Sequence, residues 1–160
     1  MASCRPPQPA SPLGTRRRRP RSAARVVHIL LAEDHPINQR VVQLILADAP
    51  VKLTVTGDGA EAVSAMQRED FDLVLMDLQM PVMDGLVATR MIRELEVAGG
   101  RNRCRICVLT ANADPDHRSL AFAAGADEFL AKPIDAETLL SVALATNQSQ
   151  SRQATAPQGD

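Results

Sequence analysis

The sequence predicts an α/β fold in which a parallel sheet carries helices on both faces. Apolar runs and amphipathic stretches alternate five times between residues 26 and 146, the pattern of repeated βα units. The runs Ile29-Leu30-Leu31 and Leu73-Val74-Leu75 are apolar on successive residues, as strands covered on both faces should be. A hydrophobic share of 45% over 160 residues is enough to build one core.

The strand-like runs fall at about 26 to 32, 51 to 56, 71 to 76, 105 to 110 and 128 to 131. The first helical stretch, about 36 to 48, begins at Pro36, and Ile37, Val41, Leu44, Ile45 and Asp48 give it a mostly apolar face. The second, about 59 to 68, runs through Ala62, Val63 and Met66. The third, about 85 to 97, runs through Ala88, Met91, Ile92 and Leu95. Asp114-Pro115 opens the fourth, about 115 to 124, and Gly125 follows its end. The fifth, about 135 to 146, carries Leu139, Leu140, Ala143 and Leu144.

The flanks differ from this body. Residues 1–25 hold seven arginines and no acid, whereas residues 26–146 hold ten basic and eighteen acidic residues. The first segment reads as a disordered basic arm before an acidic domain. It lacks aromatic interleaving and a recognition fold, so no specific nucleic-acid partner is expected. In VVHILLAEDHP charge interrupts the apolar residues too soon for a secretory signal, and no run approaches a membrane span. Residues 147–160 read as a polar flexible tail, either a free end or the start of a tether. VAGGRNRCR at 97–105 reads as a solvated connector, with a recognition loop as the other reading. Cys104 and Cys107 enter an apolar run at a spacing that points them to opposite faces of a strand. They are therefore read as structural, in an intracellular chain placed in the cytoplasm.

Polar residues at the strand ends carry the chemistry. Glu33 and Asp34 follow the first strand, Asp77 ends the third, Thr110 ends the fourth and Lys132 follows the fifth. In a parallel βα sheet these ends share the carboxyl edge, where open α/β folds place their sites. Each residue has an ordinary reading: Glu33-Asp34 as a cap for the first helix, Asp77 as a turn former, Lys132 as surface. Capping does not predict a hydroxyl and an ammonium at the two remaining ends. The pattern leaves strand order open. The order 2-1-3-4-5 would set strands one and three about 5 Å apart, bringing Glu33-Asp34 beside Asp77. Two carboxylates at that separation repel by roughly 3 kcal/mol at an effective dielectric near 20. A hard divalent ion with oxygen ligands, Mg2+, is the natural counterion.

The chain has AEDHP where a dinucleotide fold needs a Gly-rich turn, and it contains no GxxxxGK[ST]. His28 lies in the first strand, His35 adjoins the helix-starting Pro36, and His117 reads as surface, so no hydrolase triad assembles. A carboxylate nucleophile with a metal, a hydroxyl and an ammonium fits phosphoryl transfer onto Asp77.

The segments LLAEDHPINQRVV at 30–42, DLVLMDLQMPVMDG at 72–85, VLTANA at 108–113 and AGADEFLAKPI at 124–134 closely resemble the receiver domain of two-component response regulators, particularly receivers of hybrid histidine kinases. The resemblance covers about Val26 to Ala145. It implies the flavodoxin-like (βα)5 fold with order 2-1-3-4-5, for which a chemotaxis member of this family is a standard example. It also implies Asp77 as phosphoacceptor and Mg2+ held by Asp34, Asp77, the backbone carbonyl of Gln79, and Glu33 directly or through water. Lys132 would hold a phosphoryl oxygen, and Thr110 would be the hydroxyl that turns toward the phosphate. Asn112 and the Gln79 side chain would tune water access. Pro133 matches the family's proline, a candidate cis position, and Phe129 the aromatic that rotates inward. Glu33 stands where many members have Asp, and His35 where Asn is frequent in the hybrid subgroup.

The implied function is transfer of a phosphoryl group from phosphohistidine to Asp77, read out by a switch of the α4-β5-α5 face. The implied partner is a histidine kinase or histidine phosphotransfer protein, with the domain itself a monomer or a weak, phosphorylation-dependent dimer. Whether self-phosphorylation and self-dephosphorylation make it an enzyme is a matter of convention. A non-phosphorylated receiver-like scaffold is the alternative; its expected sign, a broken acid cluster or missing Lys, is absent from the sequence. A haloacid-dehalogenase-type phosphatase would need its nucleophile in a DxD arrangement after the first strand, where this chain has Glu33-Asp34.

Overall fold

The computed structural model describes residues 25–153, with side chains from Arg25 to Thr146. The expected basic arm, Arg25 apart, and the last residues of the tail lie outside the described residues. Five strands, β1 (Val27–Ala32), β2 (Val51–Thr56), β3 (Leu73–Asp77), β4 (Arg105–Thr110) and β5 (Glu128–Ala131), alternate with five helices. These are α1 (Pro36–Leu46), α2 (Gly59–Arg68), α3 (Gly85–Gly99), α4 (Pro115–Ala124) and α5 (Ala136–Gln153). The sheet is parallel in the order β2-β1-β3-β4-β5, the order implied by the resemblance. It is the flavodoxin-like (βα)5 arrangement.

Alternate strand residues feed two apolar layers. Leu30, Val74, Met76, Ile106 and Val108 pack with Ala62, Val63, Met66, Ala88 and Ile92 of α2 and α3. Ile29, Leu31, Leu73, Leu75 and Leu109 pack with Val42 and Leu46 of α1 and Leu139 and Ala143 of α5. Each fully buried large apolar side chain contributes roughly 1.5–3 kcal/mol, so β1, β3 and β4 form a stiff floor beneath the strand ends. Cys104 lies in the first layer and Cys107 in the second, the opposed faces expected. Both thiols are free, and burial pushes the Cys107 thiol up to about 12.

Three sequence expectations and one alternative reading change. The apolar face assigned to α1 is mostly the solvent face: Ile37, Val41 and Leu44 are exposed, while Val42 and Leu46 are buried and Ile45 packs partly against the core. The helix has apolar residues on two sides, and periodicity cannot say which side meets the sheet. The cap of α1 is His35, whose Nδ1 accepts from Ile37 N at 3.3 Å, rather than Glu33-Asp34, because Pro36 at the first helical position fixes the cap one residue earlier. The fifth helix continues to Gln153, into the segment expected as flexible tail from 147, because NQSQSRQ contains no Gly or Pro to stop it. The 97–105 stretch is anchored. Arg101 donates to the carbonyls of Met66 and Gln67, and Arg103 to Gly125 O and Asp127.

Candidate functional site

The register Ala32↔Met76 carries the next residues, Glu33 and Asp77, side by side out of the core. Both are buried, at 1% and 5% exposure. Asp34, one step beyond the strand, is exposed. One oxygen from each of Glu33, Asp34 and Asp77 lies within 4.8 Å of the other two. Gly85 fixes the opposite wall: a Cβ there would stand 2.1 Å from the Asp77 carbonyl oxygen, so only glycine lets α3 start against the end of β3. Asp84 caps that helix by accepting from Val87 N at 2.9 Å.

Thr110↔Ala131 pairing delivers Lys132 to the same edge. Its Nζ lies 2.7 Å from Glu33 Oε2 and 3.1 Å from Asp77 Oδ1. Burial and the neighbouring Glu33 carboxylate hold the Asp77 carboxyl above its usual range, against the opposing pull of Lys132. Burial also works against the Lys132 ammonium, yet its contacts to Glu33 and Asp77 keep its pKa raised. Three carboxylates thus face one ammonium. An all-oxygen donor set with uncompensated negative charge suits a hard divalent cation such as Mg2+.

A cavity of about 290 Å³ opens over Asp77, lined also by Gln79, Asp84, Thr110, Asn112, His117 and Lys132. Gln79 N points to Asp77 Oδ1 at 3.4 Å. The Thr110 hydroxyl faces its own loop, donating to Asn112 O at 2.7 Å and accepting from Asn112 N at 3.1 Å. The Asn112 side chain is held by Asp114, Nδ2 to Oδ2 at 2.8 Å. Pro133 follows Lys132 through a cis bond. Phe129 stands apart from the cluster, against α4: the Arg118 guanidinium lies 4.2 Å from its ring centroid and the Phe122 ring meets it edge-on at 6.2 Å.

The fold thus gathers Glu33, Asp34, Asp77 and Lys132 into one contact group and sets Gln79, Thr110 and Asn112 around it. His117, read from sequence as surface, is exposed and also lines the same cavity. The available signal was the spacing Asp114-Pro115-Asp116-His117, which puts the imidazole three residues after a helix cap, within reach of the cap's carboxylate. Val82, in the loop between Gln79 and Asp84, is 87% exposed with φ 68°. Met83 N bonds Pro81 O at 2.7 Å around it, a γ-turn that β-branched residues rarely adopt.

The family model described as "Response regulator receiver domain" matches residues 29–144. The chain belongs to the response regulator receiver family. The receiver is 38% identical over 125 residues to the "Sensor protein GacS" of Pseudomonas syringae, covering 78% of this chain and 14% of that protein. The described chain thus spans only a small part of this curated relative. It is also similar to the receiver domain of a sensor histidine kinase from Pseudomonas aeruginosa, solved with magnesium coordinated in its active-site cleft. That likeness has 36% identity and a TM-score of 0.69, covering 77% of this chain and 98% of that one. A third likeness is to the Saccharomyces cerevisiae Ssk1 receiver, solved with the histidine phosphotransfer protein Ypd1. It has 26% identity and a TM-score of 0.75, covering 79% and 92% of the two chains. No described helix is long and apolar enough to cross a membrane.

Proposed function

We propose that this receiver accepts a phosphoryl group on Asp77 from phosphohistidine of a histidine kinase or histidine phosphotransfer protein and signals through the α4-β5-α5 face. The observation that carries the reading is the buried Asp77 carboxylate, crowded by Glu33 and Asp34 and countered by Lys132 alone among them. Asp34, Asp77, Glu33 and the Gln79 carbonyl would hold Mg2+, which when bound supplies positive charge to the phosphoryl oxygens.

The chain's own residues account for the remaining steps. An Asp77 carboxylate oxygen forms a bond to phosphorus as the donor's P–N bond breaks, and the electron pair stays on the imidazole nitrogen. Lys132, already 3.1 Å from Asp77, holds a phosphoryl oxygen. Thr110 gives up its bond to Asn112 O and turns its hydroxyl toward the new charge. Phe129 leaves the contacts with Arg118 and Phe122, so the face formed by α4, β5 and α5 repacks, a two-state element biased by a local charge. Asn112 and the Gln79 side chain tune the entry of water, and Pro133 shapes the loop that carries Lys132. The exposed stripe Ile37, Val41 and Leu44 of α1 gives the donor an apolar surface next to the site. A cytoplasmic location accompanies the reading, supported by the free cysteines Cys104 and Cys107.

Incubation with Mg2+ and acetyl phosphate, followed by peptide mapping in a mass spectrometer, tests it. One phosphoryl group is expected on Asp77 and none in Asp77→Asn; equal labelling of the variant would refute the assignment. Leu44→Asp should slow labelling by a phosphohistidine protein about ten-fold, the cost of losing roughly 1.4 kcal/mol of docking, while labelling by acetyl phosphate continues at the wild-type rate.

A further inference from the structure

His117 is a proton-handling group in the cavity that the transfer onto Asp77 leaves unused. It lies in the first turn of α4, behind the cap Asp114. Asp114 Oδ1 accepts from the His117 backbone N at 2.9 Å and also lies 2.8 Å from the ring Nδ1. Capping requires only the first contact. The second fixes the ring's orientation and, by taking the Nδ1 proton as its hydrogen bond, makes Nε2 the nitrogen with a free electron pair. Among the described residues no hydrogen bond engages Nε2.

The other polar groups in the cavity are committed elsewhere. Asp84 caps α3, Asn112 is tied to Asp114, Lys132 bridges Glu33 and Asp77, and the Gln79 amide is no base. The charged groups near His117 are its partner Asp114, its chain neighbours Asp116 and Arg118, and those that line the same cavity: Asp84 at the cap of α3, Lys132 after β5 and Asp77 at the end of β3. A volume of about 290 Å³ leaves room for water beside a phosphoryl group, since one water takes about 30 Å³ of liquid.

We propose that His117, oriented by Asp114, accepts the proton of the water that hydrolyses phosphorylated Asp77 and so sets how long the receiver stays phosphorylated. The proposal rests on Asp77 being the phosphoacceptor. The water oxygen bonds to phosphorus and the bond from phosphorus to the Asp77 oxygen breaks, its electron pair returning to the carboxylate. The water's proton passes to Nε2 and from there to solvent, and inorganic phosphate leaves. No oxidant or further reactant is needed. Asp114 is a positioning residue in this scheme. Because Thr110, Asn112, Asp114 and His117 form one hydrogen-bonded series, a turn of Thr110 toward the phosphate releases one end of the segment that carries the base.

The test is decay of the label. The full chain is phosphorylated with acetyl phosphate and Mg2+, the donor is removed, and loss of phosphate from Asp77 is followed by intact mass over a series of pH values. His117→Gln should slow decay about ten-fold, a modest instance of general-base catalysis, and flatten the rise of rate with pH expected of the wild type. Free imidazole should restore decay in His117→Ala. Asp114→Asn, which keeps a capping oxygen, should slow decay less and displace the pH profile. A label that forms on Asp77 and decays with wild-type rate and pH profile in His117→Gln would overturn this proposal alone. So would decay slowed equally at every pH without imidazole rescue, since that would mark a role in helix capping. A wild-type chain that takes no label would overturn the phosphoacceptor reading and this one with it.

Discussion

The two edges of the sheet use the same kinds of side chain to opposite ends. At the amino edge Asp72, Glu96, Asp127 and Glu128 each have a basic partner. Arg93 donates to both Glu96 oxygens at 2.9 and 2.7 Å, to Cys104 O and Gly125 O at 2.9 Å each, and to Asp127 at 2.6 Å. Asp72 accepts from Arg25 at 2.8 Å and from His28 N at 2.9 Å, and Arg105 pairs with Glu128. At the carboxyl edge Glu33 and Asp77 share Lys132, with Asp34 clustered beside them, and among the described residues no second base forms an ion pair with the three. Balanced charge ties loops to the fold, whereas unbalanced charge buried at a strand end costs stability and is retained for chemistry.

Removing the hub of the balanced edge should have the largest effect. Arg93→Ala strands the Glu96 carboxylate, 6% exposed, and should lower unfolding free energy by about 3–5 kcal/mol in a denaturant titration. A loss under about 1 kcal/mol would mean that the network contributes no more than exposed ion pairs do. At the other edge the same kind of deletion should act in reverse. Asp77→Asn removes one of the crowded charges and, without divalent ions, should raise stability by about 1 kcal/mol near neutral pH, after the lost Lys132 pair is counted. The sign follows from a folded-state pKa raised by burial and Glu33: ionisation of Asp77 costs the native state, so the gap between variant and wild type closes as pH falls through that raised pKa. It vanishes below the unfolded value of 3.8. A smaller gain should come from the loop between β3 and α3. Val82→Gly relieves the φ 68° backbone and should add somewhat under 1 kcal/mol, the strain of a β-branched residue less the entropy of glycine. Thermal melts of the pair would check it.

This asymmetry was half legible in the sequence. Acids and a lysine at strand ends are visible because parallel βα units send those ends to one edge, so Glu33, Asp34, Asp77 and Lys132 could be grouped before any coordinates. Strand order came through the resemblance, since nothing in apolar periodicity orders strands. The amino edge was opaque: Arg93, Arg101 and Arg103 bond mainly to residues far along the chain, including the carbonyls of Gly125, Met66 and Gln67, and backbone acceptors leave no residue signature. That is why 97–105 read as a solvated connector. The exposed stripe of α1 was read inward for a related reason, because Ile37, Val41 and Leu44 share the helical period with the residues that do face the core.

The claim that the carboxyl edge keeps excess acid for a cation is tested most directly by melting the receiver in chelator and again in millimolar Mg2+. Preferential binding to the folded state raises the melting temperature by mass action. A rise is expected for the wild type and for Arg93→Lys, and a much smaller one for Asp34→Asn and Asp77→Asn. A melting temperature that ignores Mg2+ in the wild type, or that rises equally in all four proteins, would contradict it.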